Sequence, residues 1–309
     1  MAFTMHSHSG QFCPGHAADQ LEDIVLHAIA VGYKTIGLTE HMPRYEERDL
    51  YPEELSDPQA SLQCLPPRHD AYVLEARRLQ LLYASQINII IGFEGEFIRP
   101  SFGPLVKALF SASPHLDYFI GSVHHVHSIP IDYDKTQYAA AVAAAGGSEE
   151  RLYEDYYDLQ YDMLTALKPR LVGHFDLVRL MSEDPGRDVR QWDGVWQRIK
   201  RNLGYAAEIG AWLECNTSAL RKGLEEPYPG RIISEQWLQL GGKFTISDDS
   251  HGIAQVATNY GRALTFLELL GVERVWTFHR QHHPDAGEAT RATLSDVSVP
   301  LHDFRQHFP

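Results

Sequence analysis

The chain has 309 residues, 44% of them hydrophobic, enough to bury a large core as one big α/β domain or two smaller ones. Its 41 acidic against 27 basic residues give a formal charge of -14, which disfavours the counterion release that drives nonspecific binding to nucleic acid. Three widely spaced cysteines, Cys13, Cys64 and Cys215, argue against a disulfide framework and for a reducing compartment, with the cytoplasm as the expectation. The N-terminal segment lacks the basic and apolar regions of a secretory signal, and no stretch approaches ~18 uninterrupted apolar residues, so a soluble protein with no membrane partner is expected.

Short apolar runs alternate along the chain with longer amphipathic stretches. Strands are predicted at residues 2 to 6, 35 to 39, 87 to 93, 117 to 123, 170 to 174, 212 to 216, 243 to 247 and 274 to 278. Helices are predicted between them at 18 to 31, 69 to 85, 102 to 112, 150 to 167, 191 to 209, 231 to 240 and 254 to 270. Repeated β then α implies a parallel sheet with crossover helices. Seven or eight such units in a chain of this length fit a single, irregular TIM-like barrel better than an open sheet. Three stretches break the rhythm. Residues 46 to 68, rich in Pro and acidic groups, read as a loop inserted over the barrel rim. Residues 139 to 149 read as a helix ended by Gly146-Gly147, and the chain from about 285 reads as a polar surface tail.

The chemistry sits at the strand ends. His6 and His8 follow the first strand at i, i+2 spacing, as Asp249 and His251 follow the seventh, and a strand repeats its side-chain direction every second residue. His41, Glu94, His124 and His174 follow the second to fifth strands, and His16 lies shortly after the first. Within the run His124-His125-Val126-His127, alternation turns His125 to the opposite face, so His124, nearest the strand end, is the expected ligand. Seven imidazoles and two carboxylates suit two or three divalent ions such as zinc, iron(II) or manganese(II), with Glu94 bridging. A lone His is more often a satisfied polar residue, and His27, His69, His115, His279, His282, His283, His302 and His307 are read that way. No phosphate-binding Gly-rich fingerprint follows any strand, so no nucleotide cofactor is expected.

The segments HSHSGQFCPGHA, LTEHMPR, IIGFEGEF, DYFIGSVHHVH, GHFDLVRL, ECNTSALRKGLEEPYP and SDDSHG, spread in order over residues 6 to 252, resemble the polymerase and histidinol phosphatase (PHP) family, in its histidinol-phosphate phosphatase branch. The resemblance implies an irregular (β/α)7 barrel of PHP type and a trinuclear metal centre held by His6, His8, His16, His41, Glu94, His124, His174, Asp249 and His251. It also implies hydrolysis of L-histidinol phosphate in histidine biosynthesis, with a metal-bridging hydroxide attacking phosphorus in line. On that reading Asp249, His251 and Glu94 stand at the reacting centre. Arg221 is the foremost expected phosphate contact, because a guanidinium binds two phosphate oxygens through a planar fork; Asn216, Arg44 and Arg179 join it, and Glu96 is expected to hold the substrate's ammonium or imidazolium. The alternatives are a PHP phosphoesterase acting on nucleotides or other small phosphates, and a metal-dependent amidohydrolase. A strand-end metal-bridging Lys would favour the latter, and none stands out in the sequence.

Overall fold

The structure, a computed structural model, describes residues 1–281 and 290–308. Strands β1 (Ala2–Thr4), β2 (Tyr33–Leu38) and β3 (Asn88–Ile91) form one parallel sheet in that order. A second parallel sheet runs from β4 (Glu94–Glu96) through β5 (Ile120–Ser122), β6 (Leu171–Val172) and β7 (Trp212–Asn216) to β8 (Lys243–Ser247). Two residues separate β3 from β4, and Gly92 N–H there still donates to Leu38 C=O at 2.8 Å, so these strands are two halves of one run. At the other seam Met5 N–H donates to Ile246 C=O (3.3 Å), and Ser7 bridges Ser250 in parallel. Seven parallel runs therefore close a ring, the irregular (β/α)7 barrel that the family resemblance implies and one of the two unit counts that the alternation allows.

Each strand is short and almost wholly buried, so apolar residues such as Phe3, Ile36, Ile90, Ile120 and Leu213 share the wall with a few buried polar ones, Glu94, Glu96 and Glu214 among them. Gly37 is required in β2 because a Cβ there would lie 2.2 Å from the Tyr118 hydroxyl and 2.8 Å from Met5 C=O. That hydroxyl crosses the interior to donate to the same carbonyl (2.6 Å). Outside the ring, α1 (Leu21–Ala30) buries Leu21, Ile24, Val25 and Ala28, spaced as one helix face. Helix α3 (Phe102–Ala112) follows β4, α4 (Lys135–Ala144) and α5 (Glu149–Leu167) follow β5, and α6 (Asp193–Glu208) follows β6. Buried Asn202 of α6 donates to Tyr157 C=O (2.7 Å) and to Gln160 (3.0 Å), tying α6 to α5 by groups that would otherwise be orphaned. Helix α7 (Arg231–Gln239) links β7 to β8, and α8 (Tyr260–Leu269) closes the last unit.

The three irregular stretches differ from expectation. Residues 46 to 68 are a loop only at their start: two 3₁₀ turns, Glu47–Asp49 and Pro52–Ser56, lead into α2 (Pro58–Leu82). Asp57 caps that helix by accepting from Ala60 N–H (3.0 Å), and the helix runs through Pro66-Pro67. An interior proline costs about 3 kcal/mol of helix propensity, but Leu65, His69, Tyr72 and Val73 dock on the barrel and outweigh it. The predicted helix at 139 to 149 begins earlier, at Lys135, where Asp134 caps it, and ends before the Gly pair.

The run at 274 to 278 is not a barrel strand. It belongs to β9 (Arg274–Gln281), which pairs antiparallel with β10 (Thr293–Pro300), followed by α9 (Leu301–Arg305). The expected surface tail is thus ordered structure from residue 293, while 282 to 289, including His282 and His283, lie outside the described residues. Its physical basis is apolar: Phe278 stacks on Trp212 (4.5 Å between centroids), and Phe304, fully buried, meets Phe3 edge-on (5.1 Å). With Asn88 donating to Phe278 C=O (3.0 Å), this ladder covers the N-terminal ends of the strands.

His69 belongs to the packing of α2 on the barrel. It sits between Tyr72 and Phe93, and neither ring nitrogen has a hydrogen-bond partner among the described residues. Burial lowers its pKa from the ordinary 6.5 to about 4. A histidine neutral in the fold but protonated when unfolded makes stability fall as pH drops from about 6.5 towards 4. In metal-free protein, chemical melts at pH 7 and pH 5 should show His69→Leu losing less stability than the parent, by about 2 kcal/mol. Equal losses would contradict the assignment.

Candidate metal centre

The predicted ligands follow strands, except Glu94, which opens β4 just past β3, and all are placed at the mouth of the barrel opposite the β9–β10 ladder. His6 and His8 lie just past β1 with their rings 4.9 Å apart, as the pleat predicts. Asp249 and His251 converge by another route. The strand ends at Ser247, and Asp249 takes a left-handed backbone (φ 47°), a conformation that Asp tolerates better than most residues. Asp248 holds this turn: its carboxylate accepts from Thr4 (3.1 Å), the Tyr33 hydroxyl (2.9 Å) and Ala257 N–H (2.7 Å).

Glu94 lies at the centre. Its Oε1 is 2.9 Å from both His124 Nε2 and His174 Nε2. Its Oε2 is 3.3 Å from His6 Nε2, 3.6 Å from His8 Nε2 and 3.1 Å from His41 Nδ1. Asp249 Oδ1 lies 3.7 Å from His6 Nε2, 3.4 Å from His8 Nε2 and 3.7 Å from His251 Nδ1. The donors fall into three sets, the last two sharing His8: Glu94, His124 and His174; His6, His8 and Asp249; His8, His41 and His251. In each set the ligand atoms lie within 4.8 Å of one another. His16 stays at the edge, its side chain 42% exposed, with its ring 4.8 Å from that of His251 and 5.6 Å from that of His41.

These sets fit divalent cations. His6 Nε2 and His251 Nε2, with both nitrogens of His8 and of His41, are buried without a hydrogen-bond partner among the described residues. Orphaned buried donors and acceptors cost about 1–3 kcal/mol each, so a cluster of them needs a compensating group. Burial would raise the Glu94 carboxyl, but the facing His6 and His124 hold it well below the usual range; burial and the neighbouring His41 lower His8 to about 3. The His8 imidazole is thus neutral, the donor state a cation requires, whereas His6 and His124, which burial would lower, are raised well above the ordinary 6.5 by the carboxylates that face them. His41, which burial would lower, is raised to about 9 by Glu94 and Glu96, so a cation binding there must first displace its proton.

The residues expected to touch substrate are placed less uniformly. Arg221 lines the cavity of about 450 Å³ beside the ligands, but it donates to the carbonyls of Asp248 (2.9 Å) and Asp249 (2.8 Å) and so braces the ligand turn. Asn216 donates to Glu214 (3.1 Å) and lies 3.4 Å from Asp249, behind the ligands. Arg44 is buried between Glu54 and Glu96, bonding each at 2.9 Å, and Glu96 also faces His41 (3.1 Å). Arg179 donates to Asp176 (2.8 Å) and to the carbonyls of Glu226 and Pro227. Of these five, only Arg221 lines this cavity.

Sequence reasoning missed four residues. Asp132 and Lys222 line the cavity, and Asp132 lies 3.3 Å from His124 Nδ1. Lys222 is exposed and has no ion pair among the described residues. Glu214 pairs with His6 Nδ1 at 2.9 Å, and Asp248 holds the turn described above. For Asp248, adjacency to the ligand pair was a usable signal. For Glu214 it was the odd charge inside an apolar strand, WLECN.

Over residues 4–218 the chain matches the PHP domain family. The chain belongs to the PHP family. Among curated relatives it is 44% identical over 273 residues to a candidate histidinol-phosphatase of Schizosaccharomyces pombe, covering 88% of each chain. It is 31% identical over 310 residues to the histidinol-phosphatase of Saccharomyces cerevisiae, covering 91% of this chain and 92% of that one. Among solved structures the fold is similar to a candidate histidinol phosphatase of Listeria monocytogenes (TM-score 0.73, 24% identity, 84% of this chain and 99% of the other). It is also similar to histidinol phosphate phosphatase of Lactococcus lactis (TM-score 0.63, 20% identity, 89% and 96%), described as complexed with zinc, L-histidinol and phosphate.

Because Glu94 faces two donor sets through different oxygens, Glu94→Gln should lower the metal content of desalted protein by more than one ion per chain, measured by elemental analysis. Unchanged content would contradict the bridging position.

Proposed function

We propose that the chain is a metal-dependent phosphate monoester hydrolase that converts L-histidinol phosphate and water to L-histidinol and phosphate, a step of histidine biosynthesis, in the cytoplasm. The observation that carries this reading is the set of histidines grouped around Glu94 and Asp249 at the mouth of a PHP barrel. Its full-length likeness to the two yeast proteins supports the substrate. On this reading His6, His8, Asp249, Glu94, His124, His174, His41 and His251 hold two or three ions, zinc being the first to test, with His16 completing the outermost position. Bound there, divalent cations supply Lewis acidity and a source of hydroxide at neutral pH for in-line attack on phosphorus.

The chain's own residues do the rest. Glu94 and Asp249 fix the spacing of the ligand sets, and Arg221 keeps the Asp249 turn rigid through two carbonyls. Asp132 orients His124 through Nδ1. Burial would raise the Asp132 carboxyl, but His124 and Lys222 outweigh it and keep the group ionised. Lys222, exposed at the wall of the cavity, is placed to meet a phosphate dianion. The outer charge of -14 repels polyanions, so attraction for phosphate is confined to this mouth.

Purified protein should hydrolyse L-histidinol phosphate far faster than nucleoside monophosphates or an aryl phosphate, and should lose that activity on exhaustive chelation. Lys222→Ala should raise KM about tenfold, the scale of one charge-assisted hydrogen bond. Full turnover with no detectable metal, or a preference for nucleotides, would contradict the assignment.

A further inference from the structure

Glu214 is a fully buried carboxylate on β7 whose two oxygens point to different parts of the metal centre. Oε1 lies 2.9 Å from His6 Nδ1. Oε2 accepts from the backbone N–H of His174 (3.1 Å) and from Asn216 Nδ2 (3.1 Å), and the same Asn216 nitrogen lies 3.4 Å from Asp249 Oδ2. A carboxylate without a proton can only accept, so His6 Nδ1 must carry the hydrogen in this pair. A cation that takes up His6 must then bind at Nε2, which is orphaned and aimed between Glu94 Oε2 and Asp249 Oδ1.

We infer that Glu214 is the positioning residue of the metal centre: it selects which nitrogen of His6 is free for a divalent cation, and through its second oxygen it fixes His174 and Asp249. This rests on the metal-dependent reading above. One buried side chain thereby holds ligands from two of the three donor sets in register. Glycine before His174 permits the arrangement, because a Cβ at Gly173 would meet Ser122 Oγ at 2.5 Å and would stand 3.5 Å from Glu214 Oε2.

Glutamine cannot substitute. It offers one oxygen and one NH2, whereas the site presents three donors. If the oxygen serves His174 N–H and Asn216, the NH2 faces His6 Nδ1, which must become an acceptor and move its proton to Nε2. If the amide flips, its NH2 opposes the His174 N–H, which is fixed by the backbone. Asn216 cannot relieve this by turning, since its Oδ1 is held by Ser218 N–H (2.9 Å). In the less strained case the fold survives and His6 no longer ligates.

Two measurements test this. In the unsubstituted protein, nitrogen-resolved NMR of the histidine rings should show a hydrogen-bonded Nδ1–H on His6, both metal-free and zinc-loaded; an Nδ1 without a proton in either state would overturn the inference. Chelator competition with zinc should show Glu214→Gln weakening at least one ion roughly 10- to 100-fold, with the metal-free protein still folded by circular dichroism. Zinc affinity within about threefold of the parent would also overturn it. If the unsubstituted protein binds no zinc, the metal-dependent reading fails, while the His6 Nδ1–H resonance still decides the role of Glu214.

Discussion

The Glu94 carboxylate faces imidazoles on both sides, His124 and His174 at one oxygen and His6, His8 and His41 at the other. No arrangement of protons alone satisfies so many buried nitrogens. His8 and His41 have no hydrogen-bond partner at either nitrogen among the described residues. Such a cluster is costly in an apolar barrel unless cations occupy it. The stability of the mouth and its chemistry therefore depend on the same interaction.

The barrel is built to make that convergence possible. Its strands are only two to six residues long, so the chain leaves the sheet early and the candidate ligands sit at strand ends, with Glu94 just past the break between β3 and β4. The seam between β1 and β8 brings the first and last ligand pairs together: His8 N–H donates to Ser250 C=O at 2.7 Å, and Asp248 reaches across to Thr4 and Tyr33. Arg221 clamps the same turn from the β7 side. At the opposite end β9, β10 and α9 cover the strand starts with Phe278 and Phe304, leaving one open mouth.

The succession of strands and helices and the strand-end positions of the candidate ligands were legible because each depends on local pattern: an apolar run, then a histidine or carboxylate. The groups that support them were not, since their partners are far away in sequence. Glu214 is 208 residues from His6, and Asp248 is 244 from Thr4. Guanidinium chemistry alone suggested that Arg44 and Arg179 meet phosphate, but burial commits both to nearby carboxylates. The first turns of helix α2, before the predicted start at residue 69, were hidden by Pro66-Pro67, whose local penalty is overcome by docking of Leu65 and His69. The C-terminal ladder was hidden because a two-stranded antiparallel pair packed on a barrel end has no crossover helix to announce it.

Charge gives the centre its direction. The protein is acidic as a whole, yet the mouth gathers candidate cation ligands beside Lys222, so attraction for a small phosphate ester is concentrated at one place. The most direct test is a crystal structure of metal-loaded protein with anomalous scattering recorded at the metal edge. The account predicts ions on both sides of Glu94, one near His124 and His174 and another near His6, His8 and Asp249, with each Glu94 oxygen on a different ion. Ions bound elsewhere, or both Glu94 oxygens on a single ion, would contradict it.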